Sequence, residues 1–351
     1  MAKKKKVSLI GSGNWGTVIC KILGNNILCN EHLYEKNLPM FVKKELYNGI
    51  DLCDIINEKK MNKKYMPHCF IPDNVMASSD LLEVTDRADI LVFVLPHQYV
   101  REICETLKGH VKNDAIAISL IKGFDVYGNK LDLISNVIRS QLNIPCSVLM
   151  GANLAYEVAL EMYSEATIGC KDEEVGILMK KLFQTHYFRI VVVDDELTVE
   201  LGGALKNIVA MGAGFSDGLN GGHNTKSAVI RLGLMEMMSF SKMFFKDSKM
   251  STYFESSGLG DLVTTCYAGR NHRVAKEFAS NPQQTLENLE MNLLNGQKLQ
   301  GPLTAAEVAC VLKLHNVEGR FPMFSTIHKI CSGEMPVSSF MDCLKNHPEH
   351  L

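Results

Sequence analysis

The stretch from Ser8 to Cys20, SLIGSGNWGTVIC, constrains this chain more than any other. An aliphatic run, Val7 to Ile10, meets Gly11-x-Gly13-x-x-Gly16 and passes into a helical pattern from about Asn14 to Leu23. A strand that turns this sharply into a helix needs a first glycine for the turn. A second glycine lets backbone approach a pyrophosphate, and a third lets helix and strand pack closely. The helix start then presents unpaired N–H groups and a partial positive charge to an anion. The spacing alone is unspecific, and a purely structural glycine turn would use the same residues. Its place between a strand and a helix, at the head of a long α/β alternation, favours a dinucleotide.

That alternation runs through the first half of the chain. Short aliphatic or β-branched runs recur in EHLYEK, ADILVFVLP, AIAISLIKG, CSVLMG, EATIGC and RIVVVDD, bounded by Gly, Pro or Asp. Several lack polar alternation, as strands buried on both faces do. Helical patterns such as HQYVREICETLKGHV and LDLISNVIRSQL lie between them. The expected fold class is α/β: a Rossmann-like, mainly parallel sheet domain over residues 1–194, followed by an all-α C-terminal domain over 195–351. The boundary falls where strand patterns give way to Leu-, Met- and Ala-rich helical stretches. EHLYEK is expected as the second strand, with Glu35 at its end, 24 positions after Gly11. A carboxylate there would bind the adenosine ribose hydroxyls and repel a 2′-phosphate, favouring NAD over NADP. A solvated strand-end charge beside Lys36 is the plainer alternative.

Composition narrows the function classes. The 351 residues carry a formal net charge of -2, which argues against whole-protein affinity for nucleic acid. No apolar run approaches the ~18 residues of a membrane span. Lys3 to Lys6 lead directly into the first strand, so a solvated tail is favoured over a targeting patch. The 11 cysteines are scattered without C-x-x-C spacing, so free thiols and no metal site are expected.

Two clusters carry chemistry. In VELGGALKNIVAMGAGFSDGL, Gly202 and Gly203 precede Lys206 by about one helical turn and Ala210 follows it by one. Two glycines inside a helix cost about 1 kcal/mol each relative to Ala, so they need a reason. A cavity for a ligand beside the lysine is one, and close helix packing is another. A buried lysine loses solvation in its charged form, which lowers its pKa toward the working range of a general acid/base. A second cation, Lys122 of AIAISLIKG, would lower it further if near. Asn207 adds an uncharged donor and acceptor. In GLGDLVTTCYAGRNHRVAKEF, Asp261 and Thr265 are four apart, and Arg270 and Asn271 open a helix. A guanidinium, an amide and exposed backbone N–H groups suit a phosphate monoester. A surface salt-bridge cluster is the plainer alternative.

Together, GSGNWGT, LPHQY, ISLIKG, GANLAYEVA, LKNIVAMGAGFSDGL, GDLVTTCYAGRN and LNGQKLQGP strongly resemble cytosolic NAD-dependent glycerol-3-phosphate dehydrogenase, over almost the whole chain. The resemblance implies interconversion of sn-glycerol 3-phosphate and dihydroxyacetone phosphate by a cytoplasmic homodimer, with no nucleic-acid or membrane partner. It implies a catalytic role for Lys206, with Lys122 as the second active-site lysine and Asn207, Asp261 and Thr265 around them. Lys122, Arg270 and Asn271 would bind the substrate. The cofactor contacts it implies are Gly11, Ser12, Gly13, Asn14, Trp15, Gly16, Phe41, Tyr99, Ala155, Arg270, Lys298 and Gln300; Pro96 joins them because it and His97 follow a strand end, where open α/β sheets bind ligands. Tyr99 stands where the animal enzymes usually carry Phe. Trp15, the chain's only Trp, either covers the cofactor or braces the turn. The Lys- and Asn-rich segment from Asp51 to Lys64 matches less clearly, and nothing is carried onto it. Two rival readings are another lysine-using hydroxyacid dehydrogenase and a catalytically silent NAD(H)-binding regulator.

Overall fold

Val7 to Ile10 form a strand buried along its whole length, and the reason lies in which way its side chains point. Successive residues on a strand face opposite sides of the sheet. Val7 and Leu9 enter one hydrophobic core, and Ile10 enters another. Ile90 and Val92 likewise join the first, and Leu91 and Phe93 the second. A sheet with a core on each face accounts for aliphatic runs without polar alternation.

The computed structural model describes residues 3–127, 130–281, 283–294 and 296–350. Asn295, within the LNGQKLQGP motif, lies outside them. The chain divides into two compact units, Met1–Ile121 with Ile134–Glu196, and Lys122–Leu133 with Leu197–Leu351.

The strands are β1 Val7–Ile10, β2 Leu38–Phe41, β3 Leu46–Tyr47, β4 Ile50–Asp51, β5 Val75–Ser78, β6 Ile90–Phe93, β7 Ile116–Ser119, β8 Phe124–Tyr127, β9 Lys130–Leu133, β10 Cys146–Met150, β11 Ser164–Gly169 and β12 Phe188–Val193. The first unit holds an eight-stranded sheet in the order β12-β11-β10-β7-β6-β1-β2-β5. Only β10 and β11 pair antiparallel within it. One core takes residues from α1 (Asn14–Cys29), α2 (Leu52–Lys59), α6 (Ala155–Ala159) and α7 (Glu173–Phe183). The other takes them from α3 (Leu81–Thr85), α4 (Val100–Leu107) and α5 (Ile134–Leu142).

The second strand is not where the sequence pattern puts it. Helix α1 runs on to Cys29, beyond the expected end near Leu23, and moves the return strand downstream. EHLYEK forms a turn with one isolated bridge, Lys5 to Tyr34, and the paired strand is Leu38–Phe41. Glu35 donates its N–H to the Lys5 carbonyl, 3.0 Å away. It therefore lies at the amino-terminal edge of the strands, whereas Gly11 lies at the carboxyl edge. Six residues of extended chain between Lys5 and Gly11 span about 20 Å. The expectation that Glu35 binds the ribose fails on this geometry.

The second unit is built on α8 (Glu196–Gly218), with α9 (Gly222–Phe244), α10 (Asp261–Ala268), α11 (Arg270–Ser280), α12 (Leu286–Leu294), α13 (Gln300–Leu314), α14 (Pro322–Cys331) and α15 (Phe340–Lys345). Beyond Glu196 no strand occurs among the described residues. Helix α8 is buried on every side, as a central core helix must be. A Cβ on Gly214 would lie 2.5 Å from the His272 carbonyl oxygen, and one on Gly218 2.4 Å from that of Lys276. These glycines, one turn apart, let α11 close on α8. The β8–β9 hairpin groups with these helices. Phe124 and Leu133 enter the helical core, where Phe124 meets Phe240 at 6.5 Å between ring centroids. A single boundary near residue 194 leaves this hairpin in the wrong unit, because its apolar side chains find their partners on distant helices.

Candidate active site

In the first unit, the three glycines fill three different roles. Gly11 has φ +123°, and a Cβ on it would lie 2.0 Å from the Val94 carbonyl oxygen. A Cβ on Gly16 would lie 2.5 Å from the Gly11 oxygen, so helix and turn are in contact there. Gly13 faces open space, with no heavy atom within 4 Å of a Cβ position. The first turn of α1 has no acidic residue and no side-chain cap. A tight turn, an open backbone approach and uncapped N–H groups fit a pyrophosphate.

Asn62 holds this turn. Its buried side chain donates to the Ser12 carbonyl at 2.8 Å and to the Thr17 hydroxyl at 3.0 Å. It belongs to the very segment that carried no sequence signal. A polar residue 50 positions away has no local spacing that could reveal it. Trp15 packs edge-on against Phe188, with centroids 6.0 Å apart, which braces the start of α1. Asn14 opens that helix. Phe41 ends β2 opposite Ile10, Pro96 precedes a 3-10 turn at His97–Tyr99 after β6, and Ala155 opens α6 after β10. Gly11, Phe41 and Pro96 thus follow or close the carboxyl ends of neighbouring parallel strands, where open α/β sheets bind ligands.

In the second unit, Lys206 lies on α8 with 5% exposure. Its Nζ donates to Asp261 Oδ1 at 2.5 Å. Lys122 Nζ donates to the other oxygen, Oδ2, at 2.8 Å. One buried carboxylate therefore joins two lysines 84 positions apart in sequence. Burial pushes the Lys206 pKa down to about 8, opposed by the Asp261 carboxylate and assisted by the Lys122 charge. Lys122 lies three residues beyond β7 and keeps 22% side-chain exposure.

The local backbone explains the pair. A π-helical turn at Ser256–Gly260 leads into α10, which Asp261 opens. A Cβ on Gly202 would lie 2.6 Å from the Ser257 carbonyl oxygen. Gly202 thus makes no ligand cavity; it lets α8 touch the turn that delivers Asp261. Gly202→Ala is expected to destabilise the chain by about 1–3 kcal/mol, since backbone must move to admit the methyl. Urea unfolding checks this, and an unchanged midpoint would exclude the packing role.

Asn207 accepts a hydrogen bond at Oδ1 from Asn271 Nδ2, 3.0 Å away, and Asn271 Oδ1 accepts from the Gly301 N–H, also at 3.0 Å. Thr265 is buried one turn after Asp261, beside Gly269. Arg270 Nη1 donates to Gln297 Oε1 at 2.8 Å, and the residue as a whole is exposed. Lys298 pairs with Glu290 at 2.7 Å with 62% of its side chain exposed, and Gln300 opens α13 next to Gly301. Lys122, Lys206 and Asp261 are thus in direct contact, and Asn207 with Asn271 forms a second connected set. Gln297, Glu290 and Gly301 escaped the sequence reading. They lie in or near the LNGQKLQGP motif, but nothing local marks them as partners of Arg270, Lys298 or Asn271.

A Rossmann-like sheet with a pyrophosphate-type turn and a buried lysine of lowered pKa defines the class of nicotinamide-dependent oxidoreductases. Family models for the N-terminus and C-terminus of NAD-dependent glycerol-3-phosphate dehydrogenase match residues 6–176 and 195–342. The cytoplasmic glycerol-3-phosphate dehydrogenase [NAD(+)] of Drosophila melanogaster is 53% identical, covering 100% of this chain and 96% of its own. The rat enzyme of the same name is 52% identical, covering 99% of each. Among solved structures, glycerol-3-phosphate dehydrogenase of Plasmodium falciparum matches with TM-score 0.92 and 41% identity, over 98% of this chain and 96% of that one. The Saccharomyces cerevisiae enzyme matches with TM-score 0.89 and 39% identity, over 98% and 100%. The chain belongs to the NAD-dependent glycerol-3-phosphate dehydrogenase family.

Proposed function

We propose that this chain interconverts sn-glycerol 3-phosphate and dihydroxyacetone phosphate, with Lys206 as the general acid/base. The observation that carries the assignment is a buried amine with a pKa of about 8, held by one carboxylate it shares with a second lysine. Bound NAD supplies the hydride acceptor. Neutral Lys206 takes the proton from the C2 hydroxyl as the C2 hydrogen leaves with its electron pair and the carbonyl forms. In reverse, the Lys206 ammonium polarises the carbonyl and returns the proton. Lys122 stabilises alkoxide character on that oxygen. Asp261 holds both amines in place and offsets their mutual repulsion. Arg270 and Asn271 anchor the phosphate, and this remote contact orients the reacting carbon. Thr265 and Asn207 complete the polar surroundings.

The cofactor contacts proposed are Gly11, Ser12, Gly13, Asn14, Trp15, Gly16, Phe41, Pro96, Tyr99, Ala155, Arg270, Lys298 and Gln300. Residues 1–194 serve mainly the cofactor and 195–351 mainly the substrate and chemistry, with Lys122 and its hairpin, residues 122–133, acting with the second group. The fly and rat relatives are named as cytoplasmic, which supports the same location here. No described helix is long and apolar enough to cross a membrane. A homodimer is proposed on the same family grounds.

An NADH-oxidation assay tests the assignment. Turnover is expected with dihydroxyacetone phosphate and not with 2-keto or 3-keto acids. Comparable rates on a keto acid would point to a hydroxyacid dehydrogenase. NADH binding without turnover on any of them would point to a silent binder.

The pH dependence follows from Lys206. Alcohol oxidation needs the neutral amine, so its kcat/KM should rise as pH passes through about 8. Carbonyl reduction needs the ammonium, so its kcat/KM should fall through the same range. Asp261→Asn removes the carboxylate that raises the Lys206 pKa, and both profiles should move to lower pH. Profiles measured in both directions that lack a common inflection would exclude Lys206 as the titrating group.

A further inference from the structure

With Glu35 at the opposite edge, the carboxyl end of β2 carries a different charge from the one expected. The chain there reads Phe41-Val42-Lys43-Lys44-Glu45. Val42 donates its N–H to the Ser78 carbonyl at 2.9 Å, so the strand path is held through Val42. Lys43 and Lys44 emerge immediately beyond, both exposed. Lys43 Nζ lies 4.5 Å from the centroid of the Tyr99 ring. Tyr99 ends the 3-10 turn that follows β6. Since β6 and β2 flank β1, this contact spans the carboxyl end of β1, where the Gly11–Gly16 turn begins.

The nearby carboxylates are already engaged. Glu45 Oε2 accepts from Lys64 Nζ at 2.5 Å and from the Tyr65 hydroxyl at 3.3 Å. Asp80 caps α3 by accepting from the N–H groups of Leu82 and Glu83. Glu83 accepts from the Ser78 hydroxyl at 2.6 Å. In sheets of this type the adenosine ribose lies by the end of the second strand, where an acidic residue selects NAD and a basic one accommodates a 2′-phosphate. An exposed lysine over a ring gains only a modest cation–π attraction, which a phosphate dianion readily outcompetes.

We propose that Lys43, supported by Lys44, receives a 2′-phosphate on the adenosine ribose, so that the chain binds NADP(H) as well as NAD(H). The inference rests on the assignment of the Gly11–Gly16 turn as the dinucleotide site. Direct titration of the full chain with NADH and with NADPH, without substrate and read by nucleotide fluorescence, tests it. NADPH should bind within about tenfold of NADH at low salt, with NADPH affinity falling more steeply as salt is added. Lys43→Glu should weaken NADPH by about thirtyfold relative to NADH, because it replaces an attraction with a repulsion. Lys44→Glu should act in the same direction with a smaller effect. NADPH binding more than about 100-fold weaker than NADH in the native chain would overturn the proposal, as would an equal loss of both nucleotides in Lys43→Glu. Failure of NADH itself to bind would overturn the dinucleotide assignment and this inference with it.

Discussion

Lys206→Ala is expected to lower kcat by about a thousandfold, within the range for losing a positioned general acid/base. NADH affinity should stay within about twofold, since the Gly11–Gly16 turn is untouched. On the proposed mechanism the variant loses the proton acceptor, an amine whose pKa burial lowers to about 8. The fold should survive, because Lys122 still pairs with the Asp261 carboxylate that Lys206 leaves behind. Thermal unfolding separates loss of chemistry from loss of structure. Lys206→Arg should fail to rescue turnover, because a guanidinium keeps its proton throughout the working pH range. Near-native kcat in either variant would remove Lys206 from the mechanism.

Arg270→Ala should lower kcat/KM for dihydroxyacetone phosphate by about 100-fold or more, the scale of a charge-assisted contact to a dianion. Activity on unphosphorylated dihydroxyacetone, already weak without its anchor, should change little. The ratio of the two kcat/KM values is the quantity to measure, because a general disruption of the site would lower both equally. Gln297→Ala should give a smaller loss in the same direction. Its amide oxygen holds the guanidinium at 2.8 Å, so its removal frees Arg270 to sample other rotamers.

These variants draw on features of very different legibility. The glycine turn was readable because its physics is local. Gly11, Gly13 and Gly16 lie within one strand end and one helix turn, and each role follows from a backbone conformation or a close approach. The buried lysine is readable because α8 is mostly small and apolar, and Lys206 is its only basic residue. Glu35 misled because counting from Gly11 assumes a helix length, and α1 continues to Cys29. Strand register is decided by which residues reach the core, and Leu38 and Met40 do so.

The α/β alternation, the pyrophosphate-type turn and the residue types from which a lysine-based site is made are legible in the amino-acid order. All of these depend on contacts within a few positions. That Asp261 joins Lys206 to Lys122, that Asn62 fastens the glycine turn, and that Gly202 serves close packing rather than a cavity emerges once distant segments pack. So does the fact that lysines, not Glu35, follow the second strand. Each of these is a pairing across tens of residues. Such pairings are set by how buried polar groups find partners once helices and sheet have packed, and no local spacing encodes that.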